Sequence, residues 1–171
     1  MDWLDKSIMR TRGLAQGRTA QTHSLTEALQ GKYHYTIGPY SDPVLKIRPG
    51  DCVVVETRDA FDGAIKTEQD LPSRVLTMPF VNPQNGPIMI EGAEKGDVIA
   101  VHIKSMKPRG PNPRGTCCMI PNFGALSGTS FTALLTEPLP EIVRKIDVDE
   151  DGVYWSKRVT LPFKPHIGTL S

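Results

Sequence analysis

The chain has 171 residues, enough for one domain of ordinary size, and its 20 Lys and Arg residues nearly balance 19 Asp and Glu residues, for a formal net charge of +1. The chain therefore lacks the excess of basic residues that is typical of proteins that bind nucleic acids or acidic lipids. No stretch approaches the roughly 20 apolar residues that cross a bilayer, so we expect neither a nucleic-acid nor a membrane partner. The first residues lack the apolar core of a secretory signal, and three cysteines without regular spacing do not make a disulfide framework, so we expect a cytoplasmic location.

Glycine and proline are abundant, with 15 residues of each spread along the whole chain. Both residues interrupt regular structure, so they favour many short strands and turns over long helices. The sequence therefore predicts a mainly β fold, a sandwich or distorted barrel, with one or two short helices at Ser24–Gln30 and Leu139–Lys145. We expect a polar segment with a short helix over residues 1–32 and a β domain over residues 33–171.

Four apolar segments predict strands, in chain order at residues 44–47, 52–57, 87–90 and 98–104. The turn that joins the first two predicts a hairpin, and the continuous apolar run of the second predicts a strand buried on both faces. A Gly-Asp pair ends the turn before the second strand and before the fourth. This similarity has two explanations, a weak internal duplication or two convergent hairpins, because Gly-Asp is a common turn pair.

The rest of the chain is richer in turn-forming residues. Residues 105–131 are rich in Gly, Pro, Asn and Ser and predict a long loop, which in a compact domain is usually a lid, a binding loop or a disordered insert. Residues 147–152 separate two apolar segments and predict a further hairpin. Residues 167–171 are apolar and strand-like, and an unpaired strand end invites pairing with another chain. We therefore expect Ser171 to be an interior point of a larger folding unit that needs a partner to bury its core.

Four segments in a fixed order carry a family resemblance. They are residues 43–51 (PVLKIRPGD), 56–63 (ETRDAFDG), 82–97 (NPQNGPIMIEGAEKGD) and 162–168 (PFKPHIG). Together they resemble the acetamidase/formamidase family, whose members carry P-V-L-x-[IV]-x-P-G-D, E-T-x-D-x-F-D-G, N-P-x-[TN]-G-P followed by V-x-G-A-x-P-G-D, and P-x-x-P-x-[IL]-G. The likeness runs from about Tyr33 to the last residue, and Lys95 stands where the family often has proline.

This resemblance implies an amidohydrolase. It implies hydrolysis of a short-chain amide such as formamide or acetamide, or of a small lactam, with release of ammonia or an amine. It also implies a divalent metal ion as cofactor, with zinc as the expected metal. Family members are much longer, and their H-G-G-N-x-D and G-D-x-H-x-x-x-G-D-G-E motifs are absent here. We therefore expect a second polypeptide or a C-terminal half that carries these histidine motifs, in a homo- or hetero-oligomer, and no activity from this chain alone. The alternative is a non-catalytic β-rich binding or assembly module that keeps the family scaffold.

Two carboxylates are the candidate catalytic residues. Asp59 and Asp62 lie three residues apart beyond the end of a predicted strand, with Gly63 behind them, and strand ends that open into loops commonly carry function. Such a pair can hold a hard metal ion or orient a histidine ligand from the missing half. The alternative is a turn with two solvated acids.

Four residues are candidates for substrate binding. His34 stands where the family often has a His-aromatic pair, and its alternative is a half-buried histidine among aromatic residues. Asn82, Asn85 and Gly86 predict a loop whose amide and backbone groups face a substrate, although asparagine is also a common turn former. The adjacent Cys117 and Cys118 offer a conceivable nucleophile without a base nearby in sequence. The sequence assigns no metal ligand.

Overall fold

The computed structural model describes residues 18–39, 41–120, 123, 140–168 and 170. Over these residues the chain forms short strands and two four-residue helices, which confirms the prediction of a mainly β fold, and none of their sheets closes into a barrel. The elements are β1 (Thr22–Leu25), α1 (Glu27–Gln30), β2 (Leu45–Ile47), β3 (Cys52–Val55), α2 (Pro72–Val75), β4 (Ile88–Ile90), β5 (Arg114–Met119), β6 (Ile142–Val148), β7 (Gly152–Ser156) and β8 (Val159–Pro162). Neither helix in this part of the chain has the length and apolar character of a membrane span.

The described residues fall into two compact units. Unit 1 contains the described parts of residues 18–58 and residues 83–100, and its buried apolar side chains include Leu25 and Tyr33. Unit 2 contains residues 59–82 and the described residues from 101 onward, and its buried apolar side chains include Ile65, Val143 and Ile146. The expected boundary between residues 32 and 33 stays a prediction.

Unit 1 is built from two pairs of parallel strands. β1 pairs with β3 and β2 pairs with β4, in a register that aligns Thr22 with Cys52 and Leu45 with Ile88. The predicted hairpin between the first two strands is therefore wrong. Its turn forms, but Cys52 N–H donates to the Gln21 carbonyl at 2.8 Å, which directs β3 to β1 instead of back along β2.

The apolar run of β3 is not buried on both faces, as its sequence suggested. Val54 is 55% exposed and Val55 is 38% exposed. Within the described residues β3 pairs only with β1, and these consecutive side chains, which point to opposite faces of the strand, are both exposed. A continuous apolar run therefore indicated the strand correctly and its environment incorrectly.

The predicted helix at Ser24–Gln30 is confirmed in its second half only. Ser24 and Leu25 end β1, and the helix begins after Thr26, whose hydroxyl accepts the Leu29 N–H at 3.3 Å as an N-cap. Gly31 ends it with a φ of +63°, a left-handed conformation that favours glycine.

Unit 2 contains an antiparallel sheet in the order β5-β6-β7-β8. The predicted hairpin is confirmed, because β6 and β7 pair across the turn at residues 149–151. Asp149 builds this turn by accepting the N–H groups of Asp151 and Gly152, both at 2.9 Å, and the hydroxyl of Tyr154 at 2.8 Å. The Tyr154 hydroxyl, ahead of the two backbone groups, lowers the pKa of Asp149 below its usual range.

The second predicted helix, Leu139–Lys145, is wrong over its described residues. Leu139 lies outside them, and the segment from Ile142 onward forms strand β6. The β-branched residues Ile142, Val143, Ile146 and Val148 favour a strand, and six-residue pairing with β5 over Arg114–Met119 outweighs the weak helical spacing.

Two further predictions, both for the middle of the chain, are wrong in whole or in part. The apolar segment at residues 98–104 forms no strand, and Val98 is 96% exposed. The predicted loop at residues 105–131 contains strand β5, Arg114–Met119, while residues 121–122 and 124–131 lie outside the described residues, as does Ser171. Pairing with β6, a partner distant in sequence, converts part of a turn-rich segment into a strand.

Candidate functional site

Asp59 organises a tight turn at the start of unit 2. Its Oδ1 accepts the Phe61 N–H at 2.8 Å and its Oδ2 accepts the Gly63 N–H at 2.8 Å. The Asp59 carbonyl also accepts the Asp62 N–H at 3.0 Å. Asp59 itself is exposed, so its carboxylate is held in one orientation by the backbone while it still faces solvent.

Asp62 and Asn82 share an uncommon backbone conformation. Their φ angles are +53° and +60°, in the left-handed region that asparagine and aspartate enter more easily than most residues. Such conformations are enriched at functional sites, where surrounding structure holds them. The Asn82 N–H donates to the Ala60 carbonyl at 2.7 Å, so unit 2 brings the loop at Asn82 against the Asp59–Gly63 turn. Three sequence-predicted site residues thus belong to one local structure.

A cleft of about 520 Å³ opens beside this structure, within unit 2. Ala60 and Phe61 from the Asp59 turn, Asn82, and Thr116 from β5 contribute to its wall. The other lining residues are mainly apolar: Met78, Val81, Cys117, Cys118, Met119, Ile120 and Phe123. A mainly apolar wall with a few polar groups suits a small ligand with a short apolar part and a polar head.

The two adjacent cysteines of β5 differ in environment. Both are free thiols; Cys117 is exposed and Cys118 is half-buried. Burial raises the pKa of Cys118 above its ordinary value, and the charges of Cys117 and Glu141 raise it further. Because the thiolate is the reactive form of cysteine, Cys118 is mainly a neutral, weakly nucleophilic thiol near pH 7.

We expect Cys118 in the native protein to react with iodoacetamide at pH 7 at least about tenfold more slowly than in the urea-unfolded chain. The rate should continue to rise with pH beyond 9.0, the ordinary value for the thiol, because the folded pKa lies above it. Mass spectrometry of labelled peptides against pH measures both rates, with Cys117 as the exposed neighbour for comparison. Fast native labelling at neutral pH would return Cys118 to the list of candidate nucleophiles.

The other predicted substrate-binding residues lie in unit 1, where their polar groups contact protein. His34 exchanges backbone hydrogen bonds with Gln84, at 2.7 and 3.4 Å, and its Nδ1 lies 3.1 Å from the Ser41 hydroxyl. The Asn85 side chain donates to the Glu56 carbonyl at 3.1 Å. These contacts give both residues a structural role, and their role in substrate binding stays a prediction.

Gly86 is held by a residue that the sequence did not single out. The Gln30 side chain accepts the Gly86 N–H at 2.7 Å and donates to the Gly86 carbonyl at 3.0 Å, and it also donates to the Lys32 carbonyl at 2.9 Å. Gln30 is 2% exposed and Gly86 is buried. A polar residue at the last position of a short helix that is followed by Gly31 was the one available signal. The substrate-binding role of Gly86 stays a prediction.

Asp51 is, after Gln30, the second important residue that the sequence did not single out, since it stood there only as part of a turn. Its side chain is 1% exposed and accepts hydrogen bonds from Arg18 at 2.9 Å, from the Gln21 N–H at 3.0 Å and from the Arg48 N–H at 3.1 Å. His23 Nε2 lies 3.1 Å from its second oxygen. The Gln21 N–H, followed by the Arg18 guanidinium, keeps the pKa of Asp51 far below its usual range despite burial. Asp51 therefore holds β1 to the turn that precedes β3.

Metal ligands were left unassigned by the sequence. Among residues 18–39, 41–120, 123, 140–168 and 170, no three His, Cys, Asp or Glu side chains are grouped so that they could hold a metal ion. The described side chains therefore do not fit a zinc site by themselves.

Comparison with known proteins places this β-rich chain in one family of hydrolases. The model of the acetamidase/formamidase family matches residues 18–171, and the chain belongs to that family. A Schizosaccharomyces pombe protein named as a formamidase is 29% identical over 133 residues, which are 76% of this chain and 29% of that protein.

Two solved structures of acetamidases are similar in fold. The crystal structure of the acetamidase from Yersinia enterocolitica is 66% identical with a TM-score of 0.86, over 98% of this chain and 51% of that one. The acetamidase from Bacillus halodurans is 25% identical with a TM-score of 0.59, over 82% of this chain and 42% of that one. The chain therefore spans about half the length of these solved relatives or less.

Proposed function

We propose that this chain forms part of an enzyme that hydrolyses short-chain amides, of the formamide or acetamide kind or a small lactam, with release of ammonia or an amine. Membership of the acetamidase/formamidase family supports this function. The observation that carries it is the Asp59 carboxylate, fixed by the N–H groups of Phe61 and Gly63 beside a small, mainly apolar cleft.

The proposed role of Asp59 follows from its hydrogen bonds. Amide hydrolysis needs a positioned water or other nucleophile and groups that stabilise charge on the carbonyl oxygen. Each carboxylate oxygen has two acceptor sites, and each Asp59 oxygen accepts one backbone N–H. The remaining sites allow Asp59 to orient the attacking water or a histidine from a second polypeptide. Asp62, the second proposed catalytic carboxylate, and Asn82, which would bind the amide head of the substrate, lie on the same local structure.

The proposal includes completion by further residues. A second polypeptide or C-terminal half with the histidine motifs would supply the remaining site groups, zinc ligands among them, in a homo- or hetero-oligomer. The length of the Yersinia acetamidase, of which this chain matches 51%, supports this part. The free cysteines of β3 and β5 support a reducing, cytoplasmic location. Metal analysis of the assembled protein tests the zinc site, and ammonia release from formamide, acetamide and a lactam tests the substrate.

The Asp59→Asn variant tests the catalytic assignment. Asparagine keeps one acceptor oxygen and loses one of two backbone hydrogen bonds on an exposed turn, so we expect a stability loss of only about 1 kcal/mol. Loss of the charge should lower turnover by about tenfold or more, if the carboxylate orients water or a ligand. The measurement is kcat for ammonia release from formamide and acetamide by the assembled protein, with a thermal melt of each variant.

A matched control is Asp70→Asn in the same unit. Asp70 also accepts two backbone N–H groups in a turn, from Lys66 at 3.0 Å and Thr67 at 2.7 Å. No residue next to Asp70 lines the cleft, whereas Ala60 and Phe61, which follow Asp59, do. We expect its turnover to stay within about twofold of the parent protein. Equal losses in both variants would indicate a general effect on folding, and parent-like turnover in Asp59→Asn would remove Asp59 from the site.

A further inference from the structure

Two turns of unit 1 have the same hydrogen bonds. The Asp51 N–H donates to the Arg48 carbonyl at 3.0 Å, and the Asp51 Oδ2 accepts the Arg48 N–H at 3.1 Å. In the second turn the Asp97 N–H donates to the Glu94 carbonyl at 3.0 Å, and the Asp97 Oδ2 accepts the Glu94 N–H at 2.9 Å. The glycine before each aspartate has a φ of +87° or +104°. These turns follow β2 and β4, which are parallel neighbours, so unit 1 contains a structural repeat.

In the first copy of the repeat, the aspartate receives an incoming strand. Asp51 accepts the Gln21 N–H at 3.0 Å and the Arg18 guanidinium at 2.9 Å, and its side chain is 1% exposed. The next residue, Cys52, donates to the Gln21 carbonyl at 2.8 Å, and from there β3 pairs in parallel with β1. The aspartate thus binds the segment that precedes the partner strand, and the residues after it pair with that strand.

In the second copy the corresponding edge is open within the described residues. Asp97 is exposed, Val98 is 96% exposed and Ile99 is 54% exposed, and Ala100 is exposed as well. The β-branched residues Val98 and Ile99 follow the same Gly-Asp turn as Cys52 and Val53 do but form no strand. An exposed apolar segment after such a turn can pair with a strand of another chain.

We propose that Asp97–Ala100 is a docking edge for a parallel β-strand from the half of the family protein that this chain does not match. This inference rests on the completion part of the proposed function and deepens it. By the first copy of the repeat, a backbone N–H and a basic side chain, arginine by analogy with Arg18, meet the Asp97 carboxylate. The residue that offers this N–H accepts the Val98 N–H through its carbonyl.

Charge and the repeat together select this occupant. A carboxylate that becomes covered by a docked strand needs a cation and hydrogen-bond donors, as Asp51 has, so the incoming segment must carry a basic residue just before its strand. In a second copy of this chain β1 is already paired with β3, and the edge strand β8, which follows Arg158, is the alternative occupant that the experiment below distinguishes. The Yersinia acetamidase, of which this chain matches 51%, has a further half of similar length to supply the strand.

The experiment mixes this chain with the unmatched half of the Yersinia enterocolitica acetamidase, produced as a separate polypeptide. Hydrogen exchange followed by mass spectrometry measures the amides of residues 98–100, and titration calorimetry measures the dissociation constant. We expect a complex in which exchange at these amides slows by at least about tenfold. Asp97→Asn keeps an acceptor for the Glu94 N–H but loses the charge, and we expect it to weaken binding by about tenfold. The matched control is Asp151→Asn, another exposed turn aspartate, which should change binding by less than about twofold.

Several results would overturn the docking edge. They are absence of a complex, a complex without slower exchange at residues 98–100, and a complex equally strong with Asp97→Asn. Concentration-dependent protection of these amides in this chain alone would show that a second copy occupies the edge instead. Ammonia release from formamide is measured on the same samples. Protected amides without turnover would contradict the proposed function and leave the docking edge in place. Turnover without protected amides would support the proposed function and contradict the docking edge.

Discussion

Replacing Gln30 with alanine should lower the free energy of unfolding by about 3 kcal/mol, because a buried donor or acceptor left without a partner costs about 1–3 kcal/mol. The Gln30 side chain, 2% exposed, pairs with both backbone groups of the buried Gly86 and with the Lys32 carbonyl. Alanine leaves these groups unpaired and adds a small cavity. Urea denaturation followed by circular dichroism gives the free energy, and hydrogen exchange of the Gly86 amide reports the local effect.

Two further variants separate the causes of that loss. Gln30→Met keeps most of the side-chain volume and removes the hydrogen bonds, so it should retain most of the destabilisation. Gln21→Ala removes an exposed glutamine side chain of the same unit and should change stability by less than about 0.5 kcal/mol. A Gln30→Met variant as stable as the parent would show that packing, and not the contact with Gly86, gives Gln30 its importance.

Stability should fall steeply in acid because of Asp51. Its pKa is lowered in the folded state, first by the Gln21 N–H and then by Arg18, whereas the unfolded chain has an ordinary value of about 3.9. The charged carboxylate therefore stabilises the fold fully above about pH 4, and this contribution is lost as the pH falls below that value toward the folded pKa. Asp51→Asn should remove this part of the acid dependence and lower the unfolding temperature at pH 7 by more than about 5 °C.

The control for Asp51 is its counterpart in the repeat. Asp97→Asn alters the same turn hydrogen bond at an exposed side chain, so in this chain alone it should shift the unfolding temperature by less than about 2 °C. Thermal melts between about pH 2.5 and 7 compare the two variants with the parent chain. An Asp51→Asn variant with the parent's acid dependence would mean that other carboxylates control acid unfolding.

Local sequence signals predicted much of the secondary structure and the family. Short apolar segments bounded by Gly and Pro indicated β2, β3 and β4, and the acidic turn before Gly152 indicated the β6–β7 hairpin. These features depend on neighbouring residues, which a sequence displays directly. The turn at Asp59, which the sequence offered as the alternative to a functional pair of carboxylates, is local in the same way, because its hydrogen bonds reach only residues two and four positions further along.

Partners distant in sequence could not be predicted from these signals. A hairpin was expected between β2 and β3, but β2 pairs in parallel with β4 and β3 pairs in parallel with β1. The reason is that Asp51 and Cys52 both bind Gln21, which precedes Asp51 by 30 residues. Strand β6 replaces an expected helix because β5 offers a pairing edge. The contact of Gln30 with Gly86, 56 residues away, likewise has no local signature. The residues themselves establish which segments extend, turn and bear charge, whereas hydrogen bonding between remote segments selects which of them meet and which carboxylate is buried.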